Sequence, residues 1–255
     1  MLSFGQNVVL LLITCAFSLS FTLLLNRIWP KEKRPVQNDL IGWQLSILGT
    51  TYAVILGFML YAVWSEFGAA TLNADMEASS LRNLYRLAGG LPEAQKIELQ
   101  SEAKAYAAAV LNDDWPAMAQ GQLPNASHEI NEHMWVTLMS VKNASASENT
   151  AEDHALYELS QMTTYRRTRL VQSARRLPLI LWCVLMIGAL LTFLSVNIFN
   201  SVNPRLHLFQ VFSFTLLITL VLLAIADVNR PFIGWVHVSN YPFLRAQETM
   251  HGLEP

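Results

Sequence analysis

Four stretches of the chain, Val8–Leu25, Leu40–Ser65, Leu177–Phe199 and Leu208–Ala226, contain no Asp, Glu, Lys, Arg or His. A helix needs roughly 20 mostly apolar residues to cross about 30 Å of hydrocarbon. The second and third stretches exceed that length, and the first and fourth reach it with their flanking polar residues. No other stretch can span. An all-α membrane protein with four transmembrane helices follows.

The rest of the chain is too large to be loops alone. Of 255 residues, 53% are hydrophobic and only 14% are charged, which is membrane-class composition with a substantial soluble part. A net charge of −2 gives no reason to expect nucleic acid as a partner. Both cysteines, Cys15 and Cys183, fall inside apolar spans and read as small buried hydrophobes. They form no disulfide framework, and no Cys/His spacing fits zinc. Met1–Asn7 has no basic residue, and no small-residue cleavage site precedes Asn26-Arg27, so the first span reads as retained.

Asn26–Asp39, with Pro30, Lys31, Lys33, Arg34 and Pro35, reads as a turn that makes spans one and two a hairpin. Asn200–His207, with Asn203-Pro204, does the same for spans three and four. The expected organisation is a first hairpin at 1–65, a helical insert between spans two and three at 66–176, a second hairpin at 177–228 and a tail at 229–255.

Within the insert, Leu72, Met76, Leu84 and Ala88, joined by Leu81 and Tyr85, form an apolar stripe at helical period. No breaker separates it from span two, so one helix is expected to run on until Gly89-Gly90. Pro92 opens the next helix, over Glu93–Leu111, which Asp113-Asp114-Trp115-Pro116 is expected to break. A third helix is expected over Ser127–Val141, then a loop at Asn143–Thr150. A fourth follows at Ala151–Arg176, with Leu156, Leu159, Met162 or Thr163, Arg166 or Arg167, and Leu170 along one side. Pro178 marks a kink before span three. In the tail, Pro231, Gly234 and Pro242 interrupt helix, and Trp235–Val238 alternates like a short strand or extended arm.

Charge counts bear on orientation. Arg82, Arg86, Arg166, Arg167, Arg169, Arg175, Arg176, Arg230 and Arg245 favour a cytoplasmic insert with both termini on the same side. The cluster at Arg27, Lys31, Lys33 and Arg34 argues the other way. The arginines at 166, 167, 169, 175 and 176 could meet anionic headgroups or acidic partners in the insert, and the membrane-anchoring reading is preferred. The sequons at Asn125 and Asn143 read as chance.

No catalytic constellation, phosphate loop or cofactor motif is present, and no enzyme is expected. His128, His133, His154, His207, His237 and His251 are scattered and read as exposed. The second span differs from the others. It carries Gln44, Ser46, Thr50, Thr51 and Tyr52 at membrane depth, where polar groups usually face a bundle interior or water. Gly42, Gly49 and Gly57 lie near one face and would permit close helix approach. Thr50, Val54, Phe58 and Tyr61 align along the helix as candidate pore-lining residues, with an apolar ring as the gate. Ordinary helix packing accounts for the same spacing. Glu66 and Asp227, at the ends of spans two and four, are the candidate pore-mouth acids, which would favour cations.

Leu56-Gly57-Phe58 through Trp64-Ser65-Glu66-Phe67 resembles the second-span signature of bestrophins. The match to a bacterial bestrophin-like membrane protein family of unknown function covers almost the whole chain. It includes Glu77-Ala78, Leu81, Leu84-Tyr85-Arg86, Leu91-Pro92-Glu93, Tyr106, Trp115, Met118 and Gly121. It continues through Arg230-Pro231-Phe232, Gly234, Val238-Ser239 and Pro242-Phe243. The resemblance implies a homo-oligomer, a pentamer by analogy with bestrophins, whose second spans surround a conduit for small inorganic ions. It also implies a bacterial inner-membrane location with a cytoplasmic insert.

The departures from bestrophins are specific. Of the three neck positions, Thr50, Val54 and Phe58, only Phe58 keeps an aromatic, and Gly57 to Trp64 is about one turn shorter. After Asn229–Gly234 come Trp235-Val236-His237 with no acids, so that segment lacks the oxygen ligands a calcium ion needs. The leading expectation is a bestrophin-like ion channel or pore. The competing one is a non-conducting scaffold or sensor that presents the insert to partners. An ion-driven energy-coupling unit needs a carboxylate well inside a span, which is absent.

Overall fold

A computed structural model describes residues 4–30, 37–142, 145–199 and 203–252. The helices are α1 (Phe4–Ile28), α2 (Asn38–Leu87), α3 (Glu93–Ala109), α4 (Trp115–Ala119), α5 (Ala126–Met139), α6 (Ala146–Ala174), α7 (Leu179–Ile198), α8 (Pro204–Val228) and α9 (Tyr241–Met250). Four of these, α1, α2, α7 and α8, are long and apolar enough to cross a membrane. The chain forms two compact units, Met1–Ser65 with Arg176–Asn229, and Glu66–Arg175 with Arg230–Pro255. Lys31, Lys33, Arg34, Pro35 and Asn143 lie outside the described residues.

In the first unit the main partner of α1 is α8, rather than the α2 that follows it, and α8 also packs on α7. Hydroxyl groups join these spans. Ser18 Oγ and Thr215 Oγ1 lie 2.7 Å apart, and Thr22 donates to Asn197 at 2.7 Å. In an apolar layer such bonds satisfy groups that water cannot reach. The tightest approach is not at the glycines of α2: among the described residues nothing comes within 4 Å of where a Cβ would stand at Gly49 or Gly57. It falls at Gly188 of α7, whose missing side chain makes room for the ring of Tyr52. The Tyr52 hydroxyl then donates to the Leu185 carbonyl at 2.8 Å. Cys15 is buried, but Cys183 is exposed on α7, and His207, expected in solvent, is buried at the start of α8.

In the second unit α2 continues unbroken to Leu87 and finishes in a 3-10 turn at Ala88–Gly90. Its buried row is Ala70, Ala74, Ala78, Leu81, Leu84 and Ala88. The expected Leu81, Leu84 and Ala88 are in that row, but Leu72 and Met76 are exposed, so only the N-terminal part of the expected stripe is displaced. There the small side chains of Ala70, Ala74 and Ala78 mark the face that neighbours approach. α3 does not break at Asp113–Pro116. It widens into a π-helical segment at Val110–Asp114 and passes directly into α4, which carries Pro116 at its start.

α6 starts at Ala146, inside the expected loop. Ser145 and Glu148 form a reciprocal cap: Glu148 N–H donates to Ser145 Oγ at 3.3 Å, and Ser145 N–H donates to Glu148 Oε2 at 2.7 Å. The chain leaves helix after Ala174, so the expected kink before span three is a full interruption that ends at Pro178. No strand occurs among the described residues. Gly234, at φ +115°, turns the 229–240 segment back on itself, and Val238 N–H donates to the Pro231 carbonyl at 2.7 Å. Pro242 does not interrupt helix but starts one, in the first turn of α9.

Gly188→Ala should lower the melting temperature of the purified protein, because the added methyl meets the Tyr52 ring; overpacking of this kind costs about 1–3 kcal/mol. The penalty should shrink in a Tyr52→Leu background, which a double-mutant cycle measures.

Candidate functional site

Helix α2 carries the candidate residues on one of two sides that differ in burial. Tyr52, Leu56 and Val63 are buried against the chain. On the opposite side Thr50 is exposed, and Val54, Phe58 and Tyr61 are 52%, 67% and 70% exposed. The four candidates therefore share one outward face, which no other described segment of the chain covers. Offsets of four, four and three residues keep them within a stripe on a helix with 3.6 residues per turn.

The candidate mouth acids are placed differently. Both carboxylate oxygens of Glu66 accept from Arg175 Nη1, at 2.9 and 3.0 Å, so this acid is paired with a cation. Asp227 is buried, at 8% exposure. As placed, neither is a solvent-facing, unneutralised carboxylate.

The densest chemistry lies in the second unit. Arg169 of α6, fully buried, donates from Nε to Glu77 Oε2 at 2.7 Å and from Nη2 to Glu77 Oε1 at 3.0 Å. The same Nη2 donates to Asp114 Oδ2 at 3.2 Å, and Nη1 to Met118 Sδ at 3.5 Å. The guanidinium also faces the rings of Trp115 and Phe243, at 5.5 and 5.9 Å. Ser127 Oγ donates to Asp114 Oδ2 at 2.6 Å and accepts from Arg166 Nε at 2.9 Å, and Tyr106 donates to Glu77 Oε1 at 2.7 Å. Trp115 meets Phe232 edge-on at 5.5 Å and donates to the Val238 carbonyl at 3.4 Å.

Two carboxylates and two guanidiniums balance here. Burial alone would lower the pKa of Arg169, but the charge and hydrogen bonds of Glu77, with help from Tyr106 and Asp114, outweigh it and leave the value raised. Burial pushes the Tyr106 phenol well above its usual range, and the Glu77 carboxylate adds to this. The group joins α2, α3, α4 and α6 through one buried network of charged and hydrogen-bonded side chains.

Arg166 and Arg169 are thus core residues and do not serve to anchor the chain on headgroups. The sequence did hold a signal: Glu77 lies on the Ala74–Ala78–Leu81 row of α2, and Arg166 and Arg169 continue the Leu159–Met162 row of α6. A charge on each of two buried rows marks a pair. Among the described residues no three His, Cys, Asp or Glu side chains are grouped to hold a metal ion. His128 and His133 instead lie 3.9 and 4.0 Å from Glu132 and Glu129 along α5.

One further carboxylate stands apart. Glu102 of α3 accepts from Thr137 of α5 at 3.2 Å, while its Oε2 is buried with no hydrogen-bond partner among the described residues. Burial raises its pKa, the Thr137 bond opposes this, Glu98 adds to it and His133 lowers it.

A family model for the bestrophin-like domain matches residues 12–243. The chain belongs to the bestrophin-like family. Its fold matches that of a bacterial bestrophin homologue from Klebsiella pneumoniae, with a TM-score of 0.74 at 13% identity, over 97% of this chain and 100% of that one. A point variant of the Klebsiella homologue gives a TM-score of 0.73 at 13% identity over 95% and 99%. Another structure, described as a membrane protein variant, gives 0.75 at 14% identity over 96% and 99%. No curated protein matches the chain. The likeness establishes the fold. The motif residues Glu77, Tyr106, Trp115, Met118, Phe232, Val238 and Phe243, on which the resemblance rests, all converge on the Arg169 cluster.

Arg169→Leu leaves Glu77 and Asp114 buried without their cation and should destabilise the second unit by about 3–5 kcal/mol; chemical denaturation followed by tryptophan fluorescence reads this out. Glu102 gives a pH test. A carboxyl whose folded pKa is raised contributes stability that is complete below its unfolded pKa, about 4.3, and is lost as pH rises through the folded value. Glu102→Gln should melt like the wild type near about pH 4 and increasingly above it toward neutrality.

Proposed function

We propose that the protein is a homo-oligomeric ion channel of the inner bacterial membrane, with α2 from each copy around a central conduit. The observation that carries this reading is the outward face of α2. Thr50, Val54, Phe58 and Tyr61 share the side of α2 away from the packed Tyr52, Leu56 and Val63, on a span that also carries Gln44, Ser46 and Thr51 at membrane depth. Around a symmetry axis, the threonine supplies a hydroxyl ring and Val54 and Phe58 supply apolar rings. Phe58 is the narrowest point in this reading, and a ring of such side chains can close by excluding water.

The ring is a pentamer by family analogy. The second unit and both termini lie in the cytoplasm, with the four spans threading as two successive crossings on either side of the α3–α6 region. Ions and the surrounding lipid are the partners. Glu66, paired with Arg175, and the buried Asp227 add little net negative charge at the mouth, so selectivity in this reading rests on the α2 rings.

Mass measurement in a mild detergent should give a ring-sized oligomer, and a monomer or dimer would overturn the proposal. In proteoliposomes Phe58→Ala should raise ion flux severalfold over the wild type. Removing both members of the neutral pair, Glu66→Gln with Arg175→Gln, should leave the cation-to-anion ratio nearly unchanged. An intact ring with no flux in either protein would favour a non-conducting scaffold instead.

A further inference from the structure

The first unit contains a concavity with no occupant of its own. It lies among α1, α7 and α8, has a volume of about 290 Å³ and is open along one side. Phe17, Met186, Leu190, Phe193, Val211 and Leu222 supply its apolar wall. Four of the five hydroxyls in that wall are engaged within the protein. Thr14 donates to the Leu10 carbonyl at 2.8 Å, Thr192 donates to the Gly188 carbonyl at 2.8 Å, and Ser18 and Thr215 bond each other at 2.7 Å. A polar ligand would find no charged side chain and few open hydrogen-bonding groups. Water in such a site would lack the two or more polar partners it needs.

Two further observations identify the occupant. All three walls belong to helices long and apolar enough to cross a membrane, so hydrocarbon is the medium around them. The lining runs from Met186 to Val196 on α7 and from Val211 to Leu222 on α8, around the middle of each helix. At 1.5 Å per residue each run is about 15 Å long, about half of the roughly 30 Å hydrocarbon core. The groove is elongated and apolar, as a site for a stretch of acyl chain must be. It offers nothing to a carboxylate, so the headgroup of the bound molecule lies beyond the groove.

We propose that the groove among α1, α7 and α8 is a binding site for one acyl chain of a membrane phospholipid, held as a structural ligand of the first unit. It is separate from the α2 face and stands whether or not α2 lines a conduit. Ala189, at the groove wall on α7, and Thr219, on α8, provide independent ways to fill it.

The test uses full-length protein purified in mild detergent without added lipid and weighed by native mass spectrometry. The wild type should retain phospholipid, and Ala189→Phe and Thr219→Phe should each retain severalfold less while keeping the same oligomeric state. After delipidation, phosphatidylethanolamine in mixed micelles should raise the melting temperature of the wild type more than that of either variant. Absence of both retained phospholipid and lipid-induced stabilisation in the wild type would overturn the proposal without recourse to a variant. Equal retention by a folded variant would do the same. Loss of oligomer on filling the groove would assign it to a neighbouring copy of the chain and also overturn the lipid reading.

Discussion

A guanidinium taken out of water is tolerable only if its charge and its donors are met, and Arg169 meets that condition with two carboxylates, a thioether and two aromatic faces. Each partner comes from a different part of the second unit. Glu77 is on α2, Asp114 ends the π-helical segment, Trp115 opens α4 and Phe243 is on α9. One side chain of α6 therefore specifies where four other segments must stand. The π-helical widening of α3 has a reason in the same place: it sets Asp114 and Trp115, neighbours in sequence, both against the guanidinium. The tail, which no hydrophobic period would have attached to the helical insert, is drawn in through Phe232, Val238 and Phe243.

The cluster also fixes the rotation of α2. A helix buried on one side by alanines alone could turn by a fraction of a residue at little cost, because small apolar contacts are non-directional. A bidentate ion pair is directional. Glu77 sets which side of α2 is buried in the second unit, and Tyr52, bonded to the Leu185 carbonyl and seated on Gly188, does the same in the first. Within the first unit, the outward face of Thr50, Val54, Phe58 and Tyr61 lies on the side of α2 opposite Tyr52.

The four spans and the continuity of α2 were legible because length without charge and the lack of a breaker are local properties. So was the end at Gly89-Gly90. What was misread depended on partners distant in sequence. Leu72 and Met76 look like core by size, yet Ala70 and Ala74 are buried, since close helix approach selects small side chains. Arg166 and Arg169 look like headgroup ligands until Glu77 and Asp114 are placed beside them. Pro242 was read as a breaker but falls in the first turn of α9, where proline is tolerated, and before Pro116 the chain passes through a π-helical segment rather than breaking. The missed start of α6 is the exception, for Ser145 and Glu148 are a capping pair visible in sequence. The α2 face was placed by spacing, but spacing alone gave no way to tell an open face from a packed one.

The two units use different polar chemistry for the same task. In the first, hydroxyls of neighbouring spans bond to each other, to an amide or to a carbonyl. An uncharged pair costs less to desolvate than an ionic one, which suits hydrocarbon surroundings. The second unit can carry a full ion cluster because its helices bring enough donors and acceptors to satisfy every member. Replacing such a cluster by apolar groups of the same volume need not weaken a protein, so stability alone does not account for it. What an apolar replacement could not supply is register. The Ala70–Ala74–Ala78 row would accept several offsets of α6, and a guanidinium that must reach Glu77, Asp114 and two rings at once accepts one.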